Sequence, residues 1–538
     1  MTLIELLRKE SKKPLDKLLL ISAVSGLSST ASLALINSAA QKTETDSISI
    51  SHVFMFLAVL GIFSFSFKYI LIEGINIIEE ILNNIRTRIS DKIRRTDLQN
   101  VELIGNATIY NCMTQEISMV SQMSIYLIQA LQSAVLLVFI TLYVAILSKV
   151  AVVLVVILVT IGFFVLRQKD KIVLGKLQDT NRADIRYFMT LTDILDGLKE
   201  IKLNRKKSSD LFDVHGKISS NVKSLKIDAG HLFAKNMVFS QSFIFLTLGA
   251  IVFVLPQFQG TFSDDVLSTT TAMLFAIGPL GSLISTLPYY EKVNLSVKNI
   301  FNLEKELDMK VNQNEIQPEN ENSCFSNFKK IVIQNLYFEY AKGHQRDSFS
   351  VGPFNMELQR GETVFIIGGN GSGKTTMLKA LTMLYKANSG SIYVDDRLVD
   401  DSNFHDYREL YTAIFNDFHL FEKLYGIKNI QPEKVMELLK LMRIDGKTDF
   451  LDNGFTELNL STGQKKRLAL IVSFLEDKPV YIFDEWAADQ DPQFKNYFYE
   501  ELLEKLKAQG KTVIAVSHDD RYYGLADRII KMDYGKIV

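Results

Sequence analysis

This chain is poor in cysteine and proline and has no excess of either charge. Two cysteines in 538 residues, Cys112 and Cys324, stand far apart without CxxC or metal-ligand spacing. That excludes a disulfide framework and a cysteine zinc site, and neither cysteine lies near the N-terminus, where an attached peptidase would need its nucleophile. Lys and Arg number 60 against 61 Asp and Glu, so no global field attracts nucleic acid and no nucleic-acid partner is expected. Proline is absent from the whole polar stretch Arg167 to Lys235, which argues for long helices and against a loose loop.

What is abundant is hydrophobicity, 47% of residues beside 22% charged, an average that points to two unlike halves. The first half carries six apolar runs, Leu18 to Ala40, about Val53 to Ile77, Met119 to Leu147, Val150 to Leu166, Met237 to Leu255 and Val266 to Tyr289. The first is long enough for a ~30 Å hydrocarbon core; it exceeds a signal-peptide core and further spans follow, so it is expected to remain attached. Only Ser148-Lys149 separates the third and fourth runs, as in a tight helical hairpin. Lys and Arg crowd the N-terminus and the segments after the second and fourth runs, whereas Pro256 to Asp265 has none. By the positive-inside rule this is an integral, multi-pass protein with six spans and both ends cytoplasmic, and a bacterial inner or plasma membrane is its expected location.

Ile185, Met189, Thr192, Leu195 and Leu198 recur at helical spacing, so the two cytoplasmic excursions are expected as helical arms. Their tips, near Gly105 to Tyr110 and Asp193 to Leu203, are candidates for docking on the second half. Gln122, Gln129 and Gln132 share one face of the third run, and Ser282, Ser285 and Tyr289 one face of the sixth. Such residues either line a cargo path or hydrogen-bond between helices. Gly278-Pro279, Gly281 and Pro288 are expected to weaken or kink the sixth span.

A polar linker, 306–328, separates the halves, and the alternation Ile331, Ile333, Leu336, Phe338 opens a new domain as a strand. There an apolar run, Thr363 to Ile367, leads into Gly368-Gly369-Asn370-Gly371-Ser372-Gly373-Lys374-Thr375 and then a helical pattern with Thr376 at its start. This is a phosphate loop: backbone N–H groups surround a triphosphate, Lys374 meets the β- and γ-phosphates, and Thr375 holds Mg2+. Val480 to Asp484 is a buried strand ending in Asp484-Glu485; Asp484 suits Mg2+, and Glu485 the attacking water. His518 ends a third apolar strand where it can sense the γ-phosphate, and Tyr340 is placed to stack on adenine. Leu460 to Leu470 starts a helix with small residues, a second anion site.

Taken together these residues resemble an ABC transporter of the exporter type over nearly the whole chain, with a type IV, B-family-like architecture: an α-helical six-span domain, 1–305, fused to an α/β phosphate-loop ATPase, 329–538. Ser461-Thr462-Gly463-Gln464 resembles the signature with Thr for its first Gly, Ala488 to Asp491 the D-loop, His518 the switch histidine and Tyr340 the A-loop aromatic. Lys199 to Arg205, Phe415 to Phe421 and STGQKKRLAL resemble the branch exporting cyclic peptides, which includes exporters of lasso microcins, lipopeptides and siderophore precursors. The resemblance implies a homodimer driven by ATP and Mg2+. Each ATP meets Lys374, Thr375, Asp484, Glu485 and His518 of one copy and Ser461 and Gly463 of the other, with Tyr340, Gln464 and Asp491 also counted among the nucleotide-binding residues. It also implies contact with membrane lipids, peptide-like cargo and export proteins of the outer envelope. One position departs: Asn416 stands where a Gln usually meets Mg2+ or the water, so either Asp417 takes over or the loop only transmits motion. Lipid or multidrug flipping and an ATP-gated channel or sensor are the alternatives.

Overall fold

The computed structural model describes residues 3–11, 14–42, 50–253, 264–310, 324–340 and 349–538. It divides into two compact units, Met1–Ser90 with Ala107–Glu306, and Asp91–Asn106 with Leu307–Val538.

Among its described residues the first unit is built of helices. Among the described residues, Asp16–Ala39, Ile50–Arg94, Asn106–Leu147 and Ser268–Asp308 are long and apolar enough to cross a membrane. The expected fourth and fifth runs lie within the helices Lys149–Asp196 and Arg205–Phe253, but many of their side chains, and residues 254 and 255, lie outside the described set. So does most of the loop between the fifth and sixth runs, and the polar stretch 311–323 of the linker. The expected hairpin is present. Ser148, with extended dihedrals of −152° and 115°, ends one helix and caps the next by accepting from the Ala151 N–H at 3.2 Å.

Small and branched residues join the helices. Leu33, Leu136, Ile140, Val144, Ala151, Ala272 and Ala276 form one buried cluster. Of the membrane glutamines, Gln132 is buried and donates to Ser25 Oγ at 2.7 Å, so this one bonds helix to helix. The long helices Lys149–Asp196 and Arg205–Phe253 pair through Lys176–Asp228, at 3.4 Å, and Lys226–Asp184, at 2.9 Å. Their expected helicity is correct, but the apolar stripe does not pack between them. Ile185, Met189 and Leu195 are 51%, 62% and 63% exposed, while the small Ala183, Thr190 and Ala229 fill the inner side. Periodicity marks a face without saying what covers it.

The second unit contains a six-stranded sheet and a four-stranded antiparallel sheet. In the larger one, Arg528–Asp533, Thr363–Gly368, Thr512–Val516, Val480–Asp484 and Tyr411–Ile414 run parallel in that order. A right-handed α/β arrangement buries such strands on both faces, hence their unbroken apolar runs. The strand opening this unit is Lys330–Glu339, with Ile331, Ile333, Leu336 and Phe338 all buried; a break in the pairing register between Ile333 and Leu336 keeps the four on one face despite their uneven spacing. Phe325 and Phe328, assigned to the linker, belong to this core, and the preceding helix runs on to Asp308.

At the end of Ile50–Arg94 the expected tip is displaced. The short helix spans Leu98–Ile104, and Gly105, at φ 85°, ends it. Glycine's freedom at positive φ makes it a terminator, and Gly105 to Tyr110 is the exit from the turn. The other tip, Leu198–Leu203, is a short helix inside the expected range.

Within the first unit Arg88 forks between Glu304, at 2.5 Å, and Glu10, at 2.9 Å, tying the N-terminal helix Leu3–Glu10 to two long helices. Both carboxylates are nearly buried while the guanidinium is one-third exposed, so part of the ion-pair energy is screened. Arg88→Met leaves two carboxylates facing each other and is expected to cost about 1–3 kcal/mol. The apparent midpoint of thermal unfolding should fall, and adding Glu10→Gln with Glu304→Gln should recover part of the loss.

Candidate functional site

Parallel strands bring the carboxyl ends of three segments to one edge of the large sheet. Val516 is level with Ile366 on one side and Asp484 on the other, so the phosphate loop, the Asp484-Glu485 pair and His518 meet there. This edge is where an open α/β sheet binds ligands. An open pocket of about 540 Å3 is lined by Tyr340, Phe349, Asn370, Gly371, Gly373, Lys374, Thr375, Thr376 and Glu485. Phe349 was not anticipated; the only signal in the sequence is its place just before a strand.

Gly368 shows why the loop tolerates no side chain at its start. Its φ is 152°, and a Cβ would lie 2.3 Å from the Met532 carbonyl oxygen. The Ser372 hydroxyl, one residue from the loop's lysine, is buried without a hydrogen-bond partner. The helix Lys374–Leu381 then points its free N–H groups at the pocket, a site for an anion. Lys374 donates to the carbonyls of Gly368 and Gly369 at 3.1 and 2.9 Å and lies 3.9 Å from Glu485. Burial lowers its pKa from the ordinary lysine value, against the opposing pull of Glu485 and Asp484.

Asp484 is 1% exposed. Its Oδ2 accepts from the Thr375 hydroxyl at 2.7 Å, and its Oδ1 is buried without a hydrogen-bond partner. Desolvation raises its pKa above the usual carboxylate value; Thr375 and the Asn416 backbone N–H pull the other way. An under-satisfied carboxylate beside a threonine hydroxyl is a donor set that fits a hard divalent cation such as Mg2+. Glu485 follows at φ 50° and lies 2.9 Å from His518 Nε2. With its proton on Nε2 the imidazole donates to that carboxylate.

Tyr340 Oη is 3.2 Å from Thr376 Oγ1, and its ring meets Phe338 and Tyr385 edge-on. Tyr385, a residue the sequence did not point to, donates to Glu102 of the short helix at 2.7 Å. Lys379 lies 3.5 Å from both Glu102 and Asp417. Asp417 is therefore engaged away from Asp484. The Asn416 side chain is exposed, and this residue reaches Asp484 through its backbone.

The signature residues do not line the pocket. Ser461 caps the helix Thr462–Glu476 in a capping box with Gln464, so the Gln464 side chain is occupied at the helix start. Asp491 caps the helix Pro492–Asn496 and pairs with Arg467 at 2.5 Å. Gly463 is required, because a Cβ there would lie 2.5 Å from the Asp489 carbonyl oxygen. Thr462 is exposed, which explains why the first position accepts a side chain.

Comparison with known proteins agrees with this geometry. The family model described as ABC transporter matches residues 351–488. The chain is 32% identical to the ATP-binding protein SyrD of Pseudomonas syringae pv. syringae, over 85% of its own length and 82% of that protein's. It is 26% identical to the mitochondrial iron-sulfur clusters transporter ATM1 of Chaetomium globosum, over 67% of this chain and 61% of the relative. A solved bacterial Atm1-family ABC exporter with ATP bound superposes with a TM-score of 0.77 at 15% identity, covering 97% of this chain and 94% of that one. The fold is thus that of such an exporter, an N-terminal helical membrane domain fused to an ATPase.

Lys374→Ala should weaken ATP binding at least tenfold, measured by equilibrium binding of a fluorescent nucleotide, because the loop loses its only lysine. Glu485→Gln should bind ATP with near-normal affinity and turn over at least a hundredfold more slowly; undiminished phosphate release would remove Glu485 from its role.

Proposed function

We propose, from the premise that this chain belongs to the ABC transporter family, that it is a homodimeric exporter of a cyclic or otherwise constrained peptide, working by alternating access through six spans per copy. It is a multi-pass membrane protein whose cytoplasmic ATPase is coupled to transport. The cargo class and the dimer extend that.

One observation carries the cargo reading. In the first unit Tyr126 stacks on Tyr289 with ring centroids 5.0 Å apart, joining the helix that carries Gln122 and Gln129 to the one that carries Ser282 and Ser285. These side chains, unlike Gln132, are not buried. Amide and hydroxyl groups beside paired aromatic rings suit a compact ligand with exposed peptide groups and apolar side chains. A lipid tail would make no use of the glutamines. The exposed stripe of Ile185, Met189 and Leu195 supports pairing with a second copy.

In the dimer, Lys374, Thr375, Asp484, Glu485 and His518 of one copy close on ATP against Ser461 and Gly463 of the other. Glu485 takes the proton of the attacking water, His518 holds that carboxylate in place, and Lys374 with the helix N-terminus stabilises charge on the phosphates. Mg2+, held by Thr375 and Asp484, would supply charge neutralisation at the β- and γ-phosphates. Asn416 serves through its backbone, and Tyr340 stacks on the base. Asp91–Asn106 continues the helix Ile50–Arg94, so closure transmitted to Glu102 reaches a membrane span along the chain itself.

Sealed inverted vesicles test the cargo. ATP-dependent accumulation of a cyclic or lasso peptide, lipopeptide or siderophore precursor against its gradient is expected; accumulation of lipid alone, or equilibration without accumulation, would replace this reading. Glu102→Gln removes the charged acceptor of Tyr385, a bond of about 1.5–3 kcal/mol. It should leave basal ATP hydrolysis within twofold and lower the peptide moved per ATP severalfold.

A further inference from the structure

We infer that Lys466 is a positioning residue for Glu485, and that it acts from the helix whose start serves the other ATP. This rests on the reading of Glu485 as the base and, for its second half, on the dimer. Lys466 lies one turn inside the helix Thr462–Glu476, on its buried face with Leu470 and Ser473. Its side chain is 1% exposed. Burial of an ammonium is costly unless the charge is paired and hydrogen-bonded. Here Nζ donates to the Glu485 backbone carbonyl at 2.9 Å and pairs with Asp489 at 2.6 Å.

Both partners belong to the turn that orients the carboxylate. Glu485 is held at φ 50°, a left-handed conformation that costs free energy for a residue with a side chain. The peptide after it is fixed by three donors. Lys466 Nζ and the Ala488 N–H, at 3.3 Å, bond its oxygen, and the next side chain, Trp486, donates back to the Lys466 carbonyl at 2.8 Å. Holding that carbonyl holds ψ of Glu485, and with it the direction in which the carboxylate meets His518. Without the ammonium, Asp489 and the carbonyl lose their common tether, and the turn is free to relax toward ordinary dihedrals.

The same helix begins at Ser461 and Gly463. Gln490 donates to the Gly463 carbonyl at 3.0 Å and accepts from Arg467 at 2.8 Å. The helix start and the turn 485–491 therefore move as one piece. A helix start engaged by one ATP thereby fixes, through Lys466, the base that acts on the other.

The test uses the full chain in lipid nanodiscs. Lys466→Met, which fills the slot without a donor, should lower kcat for ATP hydrolysis about 10–100-fold with KM for ATP changed less than threefold, and should bring the Hill coefficient for ATP down to one. Lys466→Gln, which keeps an N–H donor, should recover most of the rate. Thermal unfolding without nucleotide reads the fold separately. Wild-type kcat in Lys466→Met overturns the proposal, and so does a Lys466→Gln variant as slow as Lys466→Met. A lowered rate with a Hill coefficient still at wild-type level in Lys466→Met overturns the link between sites. Glu485→Gln measured alongside separates the readings, since its retention of turnover sinks the base assignment whatever Lys466 does.

Discussion

A carboxylate buried at the end of a parallel strand governs the arrangement around it. Asp484 has one oxygen satisfied by Thr375 and one by nothing, and burial alone drives it toward the neutral form. An apolar residue would fill the same position at lower cost to the fold. What makes the carboxylate useful is a partner that arrives with the nucleotide. Strand order follows from the same need, because only a parallel sheet delivers the phosphate loop, Asp484-Glu485 and His518 to one edge, each from the carboxyl end of its own strand.

The second constraint is that the helix start at Ser461 is built as carefully as the phosphate loop yet lies outside its pocket. The capping box, the close approach of Gly463 to Asp489 and the bonds of Gln490 hold it rigid. In the proposed dimer this rigid helix start would face the nucleotide held by the second copy.

Legibility followed locality. The phosphate loop, the strand to Asp484 and the strand before His518 are contiguous in sequence, and each stands where spacing placed it. The opening strand was legible because Ile331, Ile333, Leu336 and Phe338 alternate. Residues whose role depends on distant neighbours were not. Tyr385 and its neighbour Lys379 meet Glu102 from far along the chain, 283 residues away for Tyr385, with most of the first unit between them. Gly105 was read as part of a docking tip, whereas its positive φ ends the helix that docks. The stripe through Ile185 and Met189 established a helix, but its partner had to come from elsewhere. Lys466 did leave a trace: a charge on the apolar side of an amphipathic helix, in register with Leu470 and Ser473.

Coupling requires a nucleotide to touch something whose other end touches the membrane helices, since a ligand shifts only equilibria in which it has different contacts in the two states. Asn416 is exposed and reaches the site by its backbone, so it offers little grip. Its neighbour Asp417 instead shares Lys379 with Glu102, and Tyr385 joins the same carboxylate to the ring of Tyr340. Two routes therefore converge on one side chain, one from the ring of Tyr340 at the pocket wall and one from the loop beside Asp484. The burial of Tyr385 and its bond to Glu102 push its phenol well above the ordinary tyrosine value, which keeps it a donor at any pH the protein meets. In the proposed cycle Asn416 would reach less far toward the phosphates than a glutamine, while Lys379, shared by Asp417 and Glu102, would carry motion of the loop to the short helix.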